Sequence, residues 1–437
     1  MHKKITDKIL ESYSEDSLRL AKQLFPINRS INSYGTLKTL QELKLQIPQL
    51  KIKNFAARSK VLDWKVPMRW NVKKASICRL NGEKVIDIKD NNLHVVSHSQ
   101  KVNKKIQMDD LKKRIHTIKN RPDAIPYRTS YYKKDWGFCM QHNKFLKMKD
   151  KEYLVNIDSN FTDQPMNYGE IFIPGLNKNK EVLISTYVCH PSMANNELSG
   201  PVVAISLIKY LLANTNNYSY RFLFMPETIG SIAYLNSNLA KMKKNIFSGL
   251  VLTCVGDENN FSVVKNKDDI NYLQTLVIEE SLIASKKYNS PLKIYDFNLR
   301  QSDERQYCSP GVDLPISCFC RSKYGSYPEY HTSDDDFDVV TKKGLKGSIE
   351  VLIRSIQRLE KSYFPKNVFL GEPNLGKRGL YPLMGAKKIT SQVRDIKNFL
   401  AYSNGLNSLE QISTLINIDI KETRKIFKIL KEKELVN

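Results

Sequence analysis

An α/β fold, with a mixed and mostly parallel sheet sandwiched by helices, is predicted by three observations. From about 150 to 360, strand-like and helix-like segments alternate. The stretch Ile184 to Gly200 reads as a buried strand that ends on His190, then a short polar loop, then a helix through Pro201 to Ile208. Three later stretches, Phe224 to Ser231, Leu252 to Asp257 and Glu329 to Asp334, put further imidazole and carboxylate groups at strand ends. Polar groups gathered at the carboxyl ends of parallel strands are where open α/β sheets bind ligands.

In chain order, residues 7–24 carry Ile9, Leu10, Tyr13, Leu18, Leu20, Ala21 and Leu24 near helical spacing, and a second helix is expected from Gly35 to Leu43, ended by Pro48. From about 50 to 105 the texture becomes β-like. Ala75 to Leu80 and Lys84 to Ile88 flank Asn81-Gly82, a hairpin signal, and Leu93 to His98 reads as a further strand. A helical piece is expected near 108–117. Tyr127 to Cys139 then gathers many aromatics. Strands are expected at 152–157, 168–173, 181–188, 220–225, 249–254 and 314–320, and helices near 200–213, 228–245, 276–288 and 342–362. Pro365, Gly371, Pro373, Gly376, Gly379, Pro382 and Gly385 mark a linker. Three short helices follow: Ile389 to Tyr402, Ser408 to Leu415 with Ser408 as N-cap, and Ile420 to Lys433 with Ile426, Phe427 and Leu430 on one face. Short helices with tight turns match a winged-helix or helix-turn-helix module.

A chain of 437 residues has room for two or three domains. No apolar run reaches the roughly 18 residues that span a bilayer, and Met1 to Lys8 has no apolar signal core, so the expected location is cytoplasmic, without a membrane. The seven cysteines form no CxxC pair, which suggests neither a disulfide framework nor a thiolate zinc finger and points to free thiols. The formal charge of +24 is carried mostly by scattered lysines. A solvated lysine-rich surface accounts for it better than nucleic acid does, because arginine and aromatics are not interleaved.

Four segments carry a family resemblance: His190 to Gly200, Pro226 to Ser231, Asp303 to Gly311 and Glu329 to Ser333. They resemble the bacterial aminopeptidase-like family, relatives of the M28-type zinc aminopeptidases with an inserted β-domain of unknown function and a C-terminal winged helix. Asp63 to Trp70 and Tyr127 to Cys139 resemble the insert. The resemblance implies a zinc exopeptidase-like catalytic domain split into 1–48 and 150–364, an inserted β-rich domain at 49–149, a linker at 365–385 and a winged-helix-like domain at 386–437. Several members lie among genes for surface-polysaccharide synthesis.

The same resemblance makes His190 and His331 zinc ligands and Glu227 the general base. Two positions depart from the peptidase pattern. Asn196 stands where an Asp bridges two metals, and Thr228 where a second Glu is a ligand. A neutral amide oxygen bridges poorly, so one zinc ion is expected, with Asn196 a weaker ligand. The remaining ligand is open between Cys254, which also reads as a buried structural thiol, and Asp257, which also reads as a turn or cap residue. Asp303, Arg305 and Gln306 form a polar cluster that either grips a substrate anion or makes a salt bridge within its loop. Asp334, Asp335 and Asp336 are candidates to orient His331, with most of that run solvated.

Two functions follow. The first is a zinc-dependent amide hydrolase, aminopeptidase-like or a deacylase, acting on a small amide or peptide-like substrate, with surface-polysaccharide biosynthesis as its setting. The second is a catalytically inactive peptidase fold that binds or regulates through its winged helix. Nucleic acid is not the favoured partner, since Glu422, Glu432 and Glu434 dilute Lys421, Arg424, Lys425 and Lys428. A homo-oligomer is compatible with the sequence.

Overall fold

The computed structural model describes residues 5–381 and 391–437. Its chain divides at Ser355 into two compact units. The first is built on an eight-stranded sheet in the order Lys51–Phe55, Met166–Ile173, Tyr218–Met225, Asn177–Tyr187, Ile246–Leu252, Ile316–Cys320, Phe261–Val264, Leu292–Tyr295. The four strands from Tyr218–Met225 to Ile316–Cys320 run parallel, and antiparallel pairs flank them. This is the expected mixed, mostly parallel sheet. Helices Asp7–Leu24, Ser199–Leu212, Ile229–Asn245, Tyr272–Tyr288 and Lys342–Leu359 accompany it. Strand Tyr218–Met225 is buried throughout, as a strand covered on both faces must be.

A second, antiparallel sheet of four strands has the order Lys84–Asp87, Arg69–Cys78, Glu152–Thr162, Val102–Gln107. It packs around Trp70, Ile77, Ile86, Phe138, Tyr153, Val155 and Ile157. Two strands sit differently from the reading of the sequence. Residues 152–157, expected among the strands of the catalytic sheet, belong to this one. Tyr153, Val155 and Ile157 are buried while Leu154 is 41% exposed, the alternation of a strand with one wet face. Conversely Lys51–Phe55 leaves the β-rich region and edges the large sheet, its lysines suiting an exposed edge. The run Leu93 to His98 is not a strand. Its start is the 3-10 turn Asn92–His94, which the Asn91 side chain caps by accepting from the Leu93 N–H at 2.8 Å. The helical piece near 108 is one α turn, Met108–Leu111, running into the 3-10 turn Lys112–Arg114.

The second unit holds helices Ser391–Tyr402, Leu409–Leu415 and Ile420–Glu432 around Ile396, Phe399, Ile412, Ile426 and Leu430. Ser408 and Gln411 form a capping box at the middle helix. The chain end folds back: Val368 N–H donates to the Leu435 carbonyl and Asn437 N–H to the Lys366 carbonyl. Pro382, Gly385 and Ile389 lie outside the described residues. All seven cysteines are free thiols. Among the described residues no helix is long and apolar enough to cross a membrane.

Candidate active site

The carboxyl ends of the parallel strands converge. After Asn177–Tyr187 come Cys189 and His190, after Tyr218–Met225 comes Glu227, and after Ile246–Leu252 comes Cys254. His331 arrives from the loop before the helix Lys342–Leu359. Helix Ser199–Leu212 closes over these ends, and Gly200 permits it: a Cβ there would fall 2.3 Å from Thr186 Oγ1 and 2.5 Å from the Leu252 carbonyl oxygen.

The two imidazoles meet, their centroids 5.4 Å apart. Tyr127 packs edge-on to both, and Tyr330 stacks on His331 at 3.9 Å. His190 Nδ1 bonds Glu197 Oε2 at 2.7 Å, and its Nε2 lies 3.5 Å from Glu227 Oε2. His331 Nε2 lies 3.1 Å from Asn196 Oδ1. Asn196 is itself fixed: its side-chain N–H donates to the Tyr187 hydroxyl at 3.1 Å, and its backbone N–H to Asp335 at 2.9 Å. So His190, Asn196, Glu227 and His331 are brought together.

Asp257 is not. Its carboxylate accepts from Asn195 Nδ2, from the N–H and hydroxyl of Ser322, and from the Asn259 N–H, all within 3.0 Å. Those four donors commit it to joining loops, close to the turn role that was its other reading. Cys254 is nearer, its Sγ 3.7 Å from Asn196 Nδ2 and from the Tyr327 hydroxyl, and burial holds its thiol well above its ordinary range.

Asp303 and Arg305 act on the Glu227 turn. The Ile229 N–H donates to the Glu227 carbonyl at 2.7 Å, with Thr228 between them at φ 63°, ψ −70°. That is a γ-turn of the rare, strained kind, here on a β-branched residue. Asp303 Oδ1 accepts from the Thr228 N–H, and Arg305 donates to Thr228 Oγ1, each at 2.7 Å. Gln306 stands half-buried one residue on. Cys254 and His331 also have positive φ, 52° and 57°. Such backbone conformations cost about 1–3 kcal/mol each and gather at functional sites.

Electrostatics follow from burial. Burial raises the Glu227 carboxyl above its ordinary range, with His190 and Arg305 opposing. It pushes Asp303 up to about 7, helped by Glu227, and pushes His331 down to about 3, helped by His190. For His190 burial disfavours the cation, but anionic neighbours overcome it and hold the ring well above its ordinary range. Glu197 is the effective one, because burial pushes the Cys189 thiol up to about 12 and leaves it neutral.

One buried carboxylate escaped the reading of the sequence, and another has partners other than the one expected. Glu197 is fully buried and fixes the His190 tautomer, leaving Nε2 toward Glu227. Its signal was a carboxylate within a segment otherwise fit for burial. Asp335, expected at His331 if anywhere, instead accepts from the backbone of Asn195 and Asn196 and from the Tyr327 hydroxyl. Of its neighbours, Asp334 pairs with Arg121.

A metal ion can be tested against this donor set. His190 Nε2, His331 Nε2 and Asn196 Oδ1 are two imidazole nitrogens and one neutral amide oxygen. They suit one zinc-sized cation and lack the anionic bridge that two would need. Cys189, His190 and Glu197 also offer ligand atoms within 4.8 Å of one another. There the thiol is neutral and Nδ1 is already engaged by Glu197, so Nε2 is the face left for a metal.

Residues 18–362 match the family described as a domain of unknown function, DUF4910, and residues 363–437 match a winged helix-turn-helix. A Clostridium acetobutylicum protein provisionally named for polysaccharide biosynthesis, with an aminopeptidase-like domain, is 42% identical over 384 residues, 87% of this chain and 86% of its own. A crystal structure from Clostridium acetobutylicum, provisionally described as a peptidase, aligns over 99% of this chain and 98% of its own, with a TM-score of 0.79 and 38% identity. A zinc aminopeptidase from Bacillus subtilis aligns over 79% of this chain and 94% of its own at TM-score 0.58 and 14% identity, a likeness of fold alone.

Proposed function

Because the chain belongs to the DUF4910 family of aminopeptidase-like proteins, we propose that it is a zinc-dependent amide hydrolase, an aminopeptidase or deacylase with one metal ion and a glutamate base. The observation that carries this is the convergence of His190, His331 and Asn196 on one gap beside Glu227, with His190 Nε2 3.5 Å from the carboxylate. Zinc held by the two imidazoles and the amide oxygen would supply Lewis acidity to the scissile carbonyl and to the attacking water. Glu227 takes the proton of that water on a carboxylate oxygen and hands it to the leaving amine. Glu197 holds the Nδ1 proton of His190 and so presents Nε2. Asp303 and Arg305 hold the γ-turn that aims Glu227 and are positioning residues. Tyr127 and Tyr131 wall the site, their hydroxyls 2.6 Å apart. The Clostridium acetobutylicum relative is named for polysaccharide biosynthesis, which supports an amide on a polysaccharide building block as the substrate.

The test is metal analysis of freshly purified protein, with release of an aminoacyl fluorophore, for the native chain and Glu227→Gln. The expected outcome is about one zinc per chain in both and turnover in the native protein alone. Turnover that survives the substitution rejects the base.

Asn196 and Thr228 favour a second reading, in which the peptidase fold is inactive and the winged helix binds a partner. A chain with neither zinc nor turnover, but a salt-dependent gel shift with DNA, would support it.

A further inference from the structure

Two stretches to which the reaction above gives no chemical step, Asp63 to Trp70 and Tyr127 to Cys139, meet beside the catalytic residues. Trp64, Tyr131 and Tyr132 share a 210 Å³ cavity with His190, Glu227 and Arg305. Tyr131 and Tyr132 also line an open groove of 640 Å³ that adjoins it. Arg58, Lys65, Lys133 and Lys134 lie along that groove, and no Asp or Glu lines it. In a chain with 69 basic and 45 acidic residues, four bases without an acid are more than the average surface supplies.

Elsewhere in the β-rich region some lysines are paired, Lys84 with Asp87, Lys105 with Glu152, Lys112 with Asp109 and Lys113 with Asp110, while Lys60, Lys73 and Lys74 make no ion pair among the described residues; the groove differs in gathering three such lysines along one lining without an acid. In the groove only Arg58 has a partner, Asp163 at 2.6 Å. Lys65, Lys133 and Lys134 are exposed and make no ion pair among the described residues. Unpaired ammonium groups take phosphate or carboxylate as point charges. Trp64 and Tyr132, 39% and 58% exposed and packed edge to face at 5.7 Å, add flat apolar surface for a ring.

We propose that this groove binds the distal part of the substrate, and that this part is anionic: an acylated amine bearing phosphate or carboxylate groups beyond the Tyr131–Tyr132 wall. The word substrate rests on the hydrolase reading, whereas anion binding needs no turnover. The inserted stretches would thus set specificity, and the strand ends the chemistry.

The experiment is calorimetric titration of the full chain with inorganic pyrophosphate and, separately, triglutamate, at one low ionic strength. At least one anion binds, and which one identifies phosphate or carboxylate. Replacing Lys65, Lys133 and Lys134 by alanine weakens that binding about ten-fold, as the loss of three exposed charges should. Replacing all three by arginine restores it. Replacing Lys178, Lys241 and Lys244, exposed lysines outside the groove lining, by alanine leaves it unchanged, and thermal midpoints confirm that each variant is folded. The proposal falls if neither anion binds, if the groove variant binds as the native chain does, or if the control variant loses as much. Glu227→Gln binds the anion like the native chain. Should that variant still turn over the fluorogenic amide, the hydrolase reading fails while the groove stands; a groove variant of unchanged affinity fails the groove alone.

Discussion

Two buried charge clusters sit on the same sheet, and they differ in how completely they are closed. In the first, Arg221 donates to Glu181 at 2.5 and 3.0 Å and to Glu170, which also accepts from Tyr234 at 2.9 Å and from Lys53. All four carboxylate oxygens have partners. In the second, at the strand ends, Glu197 Oε1 and Asp303 Oδ2 are buried with no protein partner. Buried polar atoms are almost always satisfied in a finished fold. The closed cluster is therefore structure, while the open one lies among residues of positive φ, Thr228 and His331, beside a 210 Å³ cavity that gives room for a ligand.

The comparison breaks most visibly if the clusters respond alike to substitution. Glu227→Gln should lower kcat by about 10²–10⁴, the usual worth of a placed proton carrier, with the urea midpoint almost unmoved. Arg221→Ala should do the reverse. It strands Glu170 and Glu181 in the interior and should cost about 3–5 kcal/mol in urea unfolding, with kcat per folded molecule preserved. A large activity loss in Arg221→Ala at full folding would erase the distinction.

Glu197→Gln probes the boundary between the two. The amide keeps an acceptor for the His190 Nδ1 proton but removes the charge. Zinc affinity, measured by competition with a chelator, should fall about 10–100-fold. An unchanged affinity would mean that Glu197 is merely a buried acid.

The fold class was legible because alternating strand and helix patterns are local, and burial on both faces imprints them. Whereas His331 is marked by the family resemblance, His190 and Glu227 stand out as well, since polar residues that end apolar runs at once pose the question of a site. Glu197 and Asp335 do not, because their roles exist only once the chain has turned. Asp335 reaches the Asn195 and Asn196 backbone across about 140 residues of sequence. Arg305, read either as an anion grip or as a salt bridge within its loop, also donates to Thr228 in the turn after Glu227, a contact across 77 residues that no local pattern announces. The strand read at 152–157 pairs in the β-rich sheet and not in the large one, because alternation tells which face is wet but not which neighbour pairs.

His98 sharpens the comparison from the other side. It too has a buried atom without a protein partner, Nε2, yet it lines the neighbouring groove rather than the cavity that holds His190 and Glu227. Its Nδ1 bonds Ser30 Oγ at 3.0 Å, and its ring packs on Trp70, Tyr131 and Phe161. Burial pushes this imidazole down to about 3. The folded chain therefore keeps it neutral, while the unfolded chain protonates it below about 6.5. Its contribution to stability is present in full above that value and is lost as pH falls toward 3. Between pH 7.5 and 5.5 the native protein should lose about 1.4 kcal/mol more than His98→Gln, read as a narrowing gap between their urea unfolding free energies. His331 carries a shift of the same sign in both proteins, so the difference isolates His98. A gap that stays constant would mean that His98 is solvated, and then an unpartnered atom would be poor grounds for separating a site from a scaffold.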